Sequence, residues 1–180
     1  MPATRADLID FLRLHHYAVV ASNTAQGPPE AALVGFVVND RLELFFDSFA
    51  STRKVTNLRH DPRVAFVVGG YTIGDERTVQ YEGEVDAPTG TELDQLKSSY
   101  FAVHPDGVRR ATLPGITYFR ARPHWIRYTN FNMNPAQIFV FQGAALSADQ
   151  QAKEYTSAAR YGRKEPWQPE IARGAVLYRI

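Results

Sequence analysis

Apolar residues recur along this chain with two periods. Leu8, Phe11 and Leu12 share one helical face within Thr4–Leu14, and Thr4 is a hydroxyl residue suited to cap it. Tyr17–Ser22 (YAVVAS) reads as a strand, and Asn23–Pro29 as a glycine- and proline-bearing loop. Ala31–Val38 (AALVGFVV) is apolar throughout, which predicts a strand buried on both faces. Asn39-Asp40 then reads as a two-residue hairpin turn, and Arg41–Phe46 (RLELFF) as the returning strand. Arg77–Asp86 (RTVQYEGEVD) alternates polar and apolar, the pattern of a half-exposed strand. Gly83 interrupts it and marks a bulge or a close backbone approach. Thr89–Phe101 reads as a helix capped by Thr89, with Leu93, Leu96, Tyr100 and Phe101 on one face. His104–Pro114 is expected to be a loop. Ile116–Arg120 and Trp125–Tyr128 read as two strands separated around Pro123, and Ile138–Phe141 as a last short strand. Ser147–Arg160 predicts a thin-faced helix, followed by an arm with Pro166, Trp167 and Pro169.

Between the third and fourth strands lies Phe49–Val68 (FASTRKVTNLRHDPRVAFVV), where the candidate chemistry concentrates. Ser51 and Thr52 are good N-cap residues for a short helix. Arg53 and Lys54 follow in its first turn, where cations oppose the partial positive charge of a helix N-terminus. Two cations, two hydroxyls and exposed N–H groups in one turn suit an anion, phosphate above all. The alternative is a solvated surface turn with no ligand. Asp61-Pro62 stops the helix and Arg63–Val68 reads as a buried strand.

Composition narrows the classes. A chain of 180 residues and 20.2 kDa suits one domain with a real core. The net charge of +1 is no nucleic-acid footprint. Cysteine is absent, which excludes disulfides, thiolate catalysis and Cys-zinc sites. His15, His16, His60, His104 and His124 show no metal-ligand spacing, so no metal is expected. There is no nucleophile elbow, P-loop or dinucleotide fingerprint, and no carboxylate pair stands out. Trp125, Arg127 and Tyr128 are substrate-binding candidates, against the plainer reading of core aromatics. No long apolar run predicts a membrane span, and Met1–Leu12 has no signal-like core, so a cytoplasmic location is expected. A phosphate site beside buried strands fits a protein whose chemistry belongs to a bound phosphorylated cofactor. Strands with local hairpins and only a few short helices favour an antiparallel barrel over a doubly wound sheet.

The order of Ser48, Thr52-Arg53-Lys54, Leu58 and Asp61-Pro62-Arg63-Val64, with a later strand ending Glu82-Gly83, resembles the pyridoxamine 5′-phosphate oxidase-like split-barrel flavoproteins. The resemblance spans roughly residues 17–128. It implies a mainly β fold with some α (α+β), an antiparallel split β-barrel with short peripheral helices over residues 1–143. From Ala144 onward the chain does not resemble the family, and residues 144–180 are expected from their own pattern to form a helix and arm packing on the barrel or on a partner subunit. The resemblance implies FMN bound at a homodimer interface, with a small-molecule substrate and no nucleic-acid or membrane partner. Arg53 and Lys54 would contact the FMN phosphate, helped by Ser48, Ser51 and Thr52. The backbone around Leu33 and Val34 would face the isoalloxazine ring. Thr78 or Gln80 would reach the phosphate or ring from the partner subunit or the neighbouring strand. The implied activity is that of an FMN-binding oxidoreductase. A flavin- or haem-binding protein without turnover and a deazaflavin-dependent reductase are the alternatives. True pyridoxamine phosphate oxidases carry Arg-Gln where this chain has Arg77-Thr78, and arginines where it has Tyr128–Asn132, so the substrate stays unassigned.

Overall fold

The computed structural model describes residues 4–70, 72–147 and 153–156. Helix α1 (Arg5–Arg13) opens on a capping box: Asp7 N donates to Thr4 Oγ1 at 3.1 Å and Thr4 N to Asp7 Oδ2 at 2.6 Å. The Thr4 N–H and hydroxyl, both donating to Asp7 Oδ2, hold the Asp7 carboxyl below its ordinary pKa. The helix buries Leu8, Ile9, Phe11 and Leu12, the stripe that the spacing predicts plus one neighbour.

Six strands form the barrel: β1 (Tyr17–Asn23), β2 (Pro29–Val38), β3 (Leu44–Phe49), β4 (Arg63–Gly69), β5 (Arg77–Asp86) and β6 (Ile116–Asn130). Their antiparallel order is β3-β2-β1-β4-β5-β6, and a β3–β6 pairing closes the ring. Strands β7 (Gln137–Gln142) and β8 (Lys153–Thr156) add to the far edge of β6. Helix α2 (Arg53–His60) joins β3 to β4, α3 (Gly90–Val103) and α4 (Asp106–Arg110) join β5 to β6, and α5 is the single turn Ala144–Ser147.

Inward-facing Val20, Val34, Phe36, Leu44, Phe46, Val64, Phe66, Tyr81, Phe119 and Ile126 fill the barrel with the apolar faces of α1 and α2. Each such large side chain contributes about 1.5–3 kcal/mol on burial. A second cluster, Phe45, Tyr100 and Tyr118, lies outside the wall under α3. Only Tyr100 of the predicted α3 face is fully buried, and Leu93, Leu96 and Phe101 pack around this cluster.

Several expectations are corrected. The turn after β2 is wider than Asn39-Asp40. Asn39 Oδ1 accepts from Arg41 N at 2.9 Å and Glu43 N at 3.0 Å, Leu42 takes φ 60°, and β3 begins at Leu44, not Arg41. Strand β2 is not buried on both faces, because its outer side is uncovered and Leu33 is 67% exposed. The stretch His104–Pro114 contains α4. Thr52 and Thr89 occupy N-cap positions, but neither hydroxyl makes a cap hydrogen bond.

The segment around Pro123 is one 15-residue strand, not two. Pro123 stands opposite Gly83, where the β5–β6 register shifts. The bulge accommodates a residue with no N–H, and a Cβ on Gly83 would sit 2.1 Å from the Arg122 carbonyl oxygen. Both readings of Gly83 therefore hold. The bend also splits the other edge of β6. Ile116–Ala121 closes the barrel on β3, and Trp125–Asn130 carries β7. Within the helix expected at Ser147–Arg160, Lys153–Thr156 is strand β8. Residues 157–180, with Pro166, Trp167 and Pro169, lie outside the described residues.

Candidate functional site

Strand β3 serves two neighbours, and the site lies where it changes from one to the other. It pairs with β2 only through Phe36–Val38 against Leu44–Phe46, then follows β6 alone as far as Phe49. Residues Pro29–Gly35 of β2 consequently pair with β1 only, and their other backbone edge is open. A cleft of about 360 Å³ occupies the gap. Leu33, Val34 and Gly35 line it from β2, Asp47, Ser48 and Phe49 from β3, and Tyr100, His104 and Arg110 from α3 and α4.

On the β3–α2 side, Lys54 is buried and its Nζ donates to Ser48 Oγ at 2.6 Å. Ser48 Oγ lies 3.1 Å from Thr52 Oγ1, which in turn donates to the Phe49 carbonyl at 2.9 Å. Burial pushes the Lys54 pKa below its ordinary 10.5, against the opposing pull of Glu30 and Asp47. Because Thr52 points back to Phe49, the first turn of α2 is uncapped. The Arg53 and Lys54 N–H groups have no hydrogen-bond partner among the described residues. A buried ammonium, a pair of hydroxyls and open helix N–H groups fit a phosphate.

The sequence-predicted residues divide. Leu33, Val34, Ser48, Thr52 and Lys54 meet at the cleft. Ser51 is exposed on the turn beside it. Arg53 has a side chain 74% exposed and lies 3.6 Å from Glu30, a carboxylate that also accepts from Asn57 at 2.7 Å. Thr78 and Gln80 stand on β5, opposite Gly69 and Val67 of β4.

The α3–α4 side was not legible in the sequence. Asp47 Oδ2 accepts from Arg110 Nε at 2.9 Å and Asp47 Oδ1 from the Tyr100 hydroxyl at 3.1 Å. Arg110 Nη2 reaches the same hydroxyl at 3.0 Å, and Arg110 also pairs with Asp106. Burial, then the Asp47 charge, raises the Tyr100 pKa. His104 lies over Gly35. The Tyr100/His104 spacing of one helical turn was the available signal, and reading His104 as loop hid it.

Beside the cleft, the outer face of the sheet carries an apolar row. Val19 is in register with Leu33 on one side and Val67 on the other, and they are 42%, 67% and 44% exposed. Gln80 and then Arg127 continue the row. Of the substrate candidates, Trp125 and Arg127 make a cation–π pair at 5.9 Å and Tyr128 packs on Phe11. Among the described residues there is no cluster suited to a metal, and no helix is long and apolar enough to cross a membrane.

The chain belongs to the pyridoxamine 5′-phosphate oxidase family, whose model matches residues 5–130. Among curated proteins, none matches the sequence. Solved structures share the split-barrel fold at low identity. A haem-binding protein from Mycobacterium smegmatis is 15% identical with TM-score 0.70, over 82% of this chain and 61% of that one, so this chain spans less than two thirds of its length. A pyridoxamine 5′-phosphate oxidase-related, FMN-binding protein from Nostoc punctiforme is 12% identical with TM-score 0.57, over 84% of this chain and 92% of that one. The haem storage protein HutZ from Vibrio cholerae is 16% identical with TM-score 0.58, over 66% and 88%.

Proposed function

We propose that this protein is an FMN-binding oxidoreductase acting on a small molecule, with the cofactor held at a homodimer interface. The observation that carries the reading is the buried Lys54 ammonium on Ser48, whose hydroxyl in turn meets Thr52, facing a cleft beside the open backbone edge of β2. Lys54, the two hydroxyls and the uncapped turn of α2 hold the phosphate. Arg53 stands at its rim. The free N–H and C=O groups of β2 near Leu33 and Val34 meet the polar edge of the ring. When bound, FMN supplies hydride exchange, and the chain supplies position and charge.

Support for the dimer is the apolar row Leu33–Val19–Val67, which borders the cleft and is uncovered in one subunit. A second subunit on this face would bring Thr78 or Gln80 toward the neighbouring cleft. Leu33→Glu should shift the protein from dimer to monomer in analytical ultracentrifugation. An unchanged sedimentation profile would move the interface elsewhere.

The cofactor is tested by loading purified protein with excess FMN, desalting it and recording its absorption spectrum. Retained flavin bands are expected, and a colourless protein overturns the reading. The haem-binding and haem-storage neighbours favour a second reading, so haemin is loaded in parallel. A retained Soret band without flavin bands would make it a haem binder. Flavin that stays oxidised with NADH and a panel of acceptors would leave a binding protein without turnover.

A further inference from the structure

His104 follows the last residue of α3, and its ring is laid on the barrel wall, leaving only 6% of the residue exposed. Its Nε2 lies 3.1 Å from the Phe36 carbonyl oxygen. A carbonyl only accepts, so Nε2 carries a proton, and the tautomer with that single proton has its acceptor lone pair on Nδ1. The ring edge holding both nitrogens lies directly over Gly35. A Cβ there would stand 2.9 Å from Cε1 and 3.3 Å from each nitrogen, so only glycine admits the ring. Tyr100 packs at 4.7 Å between ring centroids, Tyr17 at 5.9 Å and His16 at 6.0 Å. The position is thus fixed by a hydrogen bond, a glycine and three rings. Nδ1 faces away from the Phe36 carbonyl, has no hydrogen-bond partner among the described residues, and belongs to a residue lining the cleft.

We propose that His104 Nδ1 is the ring-recognising acceptor of this cleft, taking a hydrogen bond from an N–H of the bound cofactor. The inference rests on the FMN reading above. The isoalloxazine presents an N–H between two carbonyl groups, a donor that the open β2 edge and a fixed imidazole can recognise together. Lys54 anchors the phosphate, and His104 selects the ring. The charged and titratable groups around the ring are Tyr100 on α3, Asp106 and Arg110 on α4, Asp47 on β3, Lys54 on α2, and His16 and Tyr17 at the start of β1.

The test compares FMN dissociation constants of wild type, His104→Gln and His104→Leu at one pH. Glutamine keeps an N–H for the Phe36 carbonyl and offers an oxygen in place of Nδ1, and leucine offers no acceptor. His104→Leu is expected to bind FMN about three- to tenfold more weakly than wild type, and His104→Gln close to wild type. Equal affinities of the leucine variant and the wild type overturn the proposal. If His104→Gln does not fold, the ¹⁵N shift of His104 Nδ1 in the wild type decides, moving on FMN addition if the contact forms and standing still if it does not. Wild type that retains no FMN at any pH overturns the cofactor reading first, and this inference with it.

Discussion

The two sides of the cleft each present a cation, and they differ in what surrounds it. Arg110 is answered by two carboxylates, Asp47 and Asp106, and by the Tyr100 hydroxyl. Among the described residues, Lys54 is answered at hydrogen-bond distance only by the hydroxyl of Ser48. Arg110 is therefore neutralised within the protein, and its ion pairs fasten α3 and α4 to the barrel wall. Lys54 is buried, with Glu30 and Asp47 attracting it from beyond ion-pair distance, and an ammonium there without a close counter-charge is costly. Such a residue is best explained by an anion that completes it. A cation near a cleft is thus not in itself a ligand site. Direct contact with a carboxylate separates a fastener from an anchor.

Truncating each cation's partners sharpens that contrast. The largest effect on binding is expected for Lys54→Ala, which removes a charge-assisted contact worth about 1.5–3 kcal/mol, roughly a ten- to 150-fold weaker FMN affinity by fluorescence titration. An unchanged affinity would remove Lys54 from the site. On the opposite side, Asp47→Ala leaves Arg110 with Asp106 as its one carboxylate among the described residues and removes the acceptor of the Tyr100 hydroxyl. It should cost about 2–3 kcal/mol in urea denaturation and leave the phosphate contacts intact. A loss of FMN without a loss of stability would reverse the two roles.

The lowered pKa of Lys54 gives a pH test. With the folded value below the unfolded 10.5, the unfolded chain binds more protons in the window between them. The ligand-free protein therefore gains stability as pH rises through that window. FMN affinity falls over the same window as the ammonium is lost. Lys54→Arg, which stays charged, should remove that fall in affinity, and a fall that persists would place the titration elsewhere. The smallest effect is expected for Arg53→Ala. Its exposed side chain and its contact with Glu30 predict less than about a fivefold change in FMN affinity. A larger loss would show that Arg53 swings onto the phosphate.

Local signals carried much of the fold. The Thr4 cap, the helix stop at Asp61-Pro62 and the Gly83 bulge each leave a signal within a few residues, so the sequence exposes them. The register of β3 was misread because the Asn39 side chain ties down a wider turn than the dipeptide suggests. Pro123 does not break the strand, because β6 carries an extra residue, His124, against Glu82 and Gly83 of β5, and that bulge, set by a pairing distant in sequence, admits the proline. Of the site, Ser48, Thr52 and Lys54 were legible because they fall within one strand–turn–helix. Asp47 and Arg110 lie 63 positions apart, and nothing local to either announces the pairing.

By itself the sequence determined where most of the barrel strands lie, the helix stop at Asp61-Pro62, the exclusion of thiol chemistry and the hydroxyl–lysine turn, because each depends on backbone preference and near-neighbour chemistry. The tertiary structure alone decided that β3 leaves β2 for β6, and hence that a cleft opens at all. It also decided that Lys54 turns inward while Arg53 turns out, and that His104 settles on Gly35. These outcomes depend on barrel closure, which brings together strands far apart in the chain and sets the burial of every side chain around the gap.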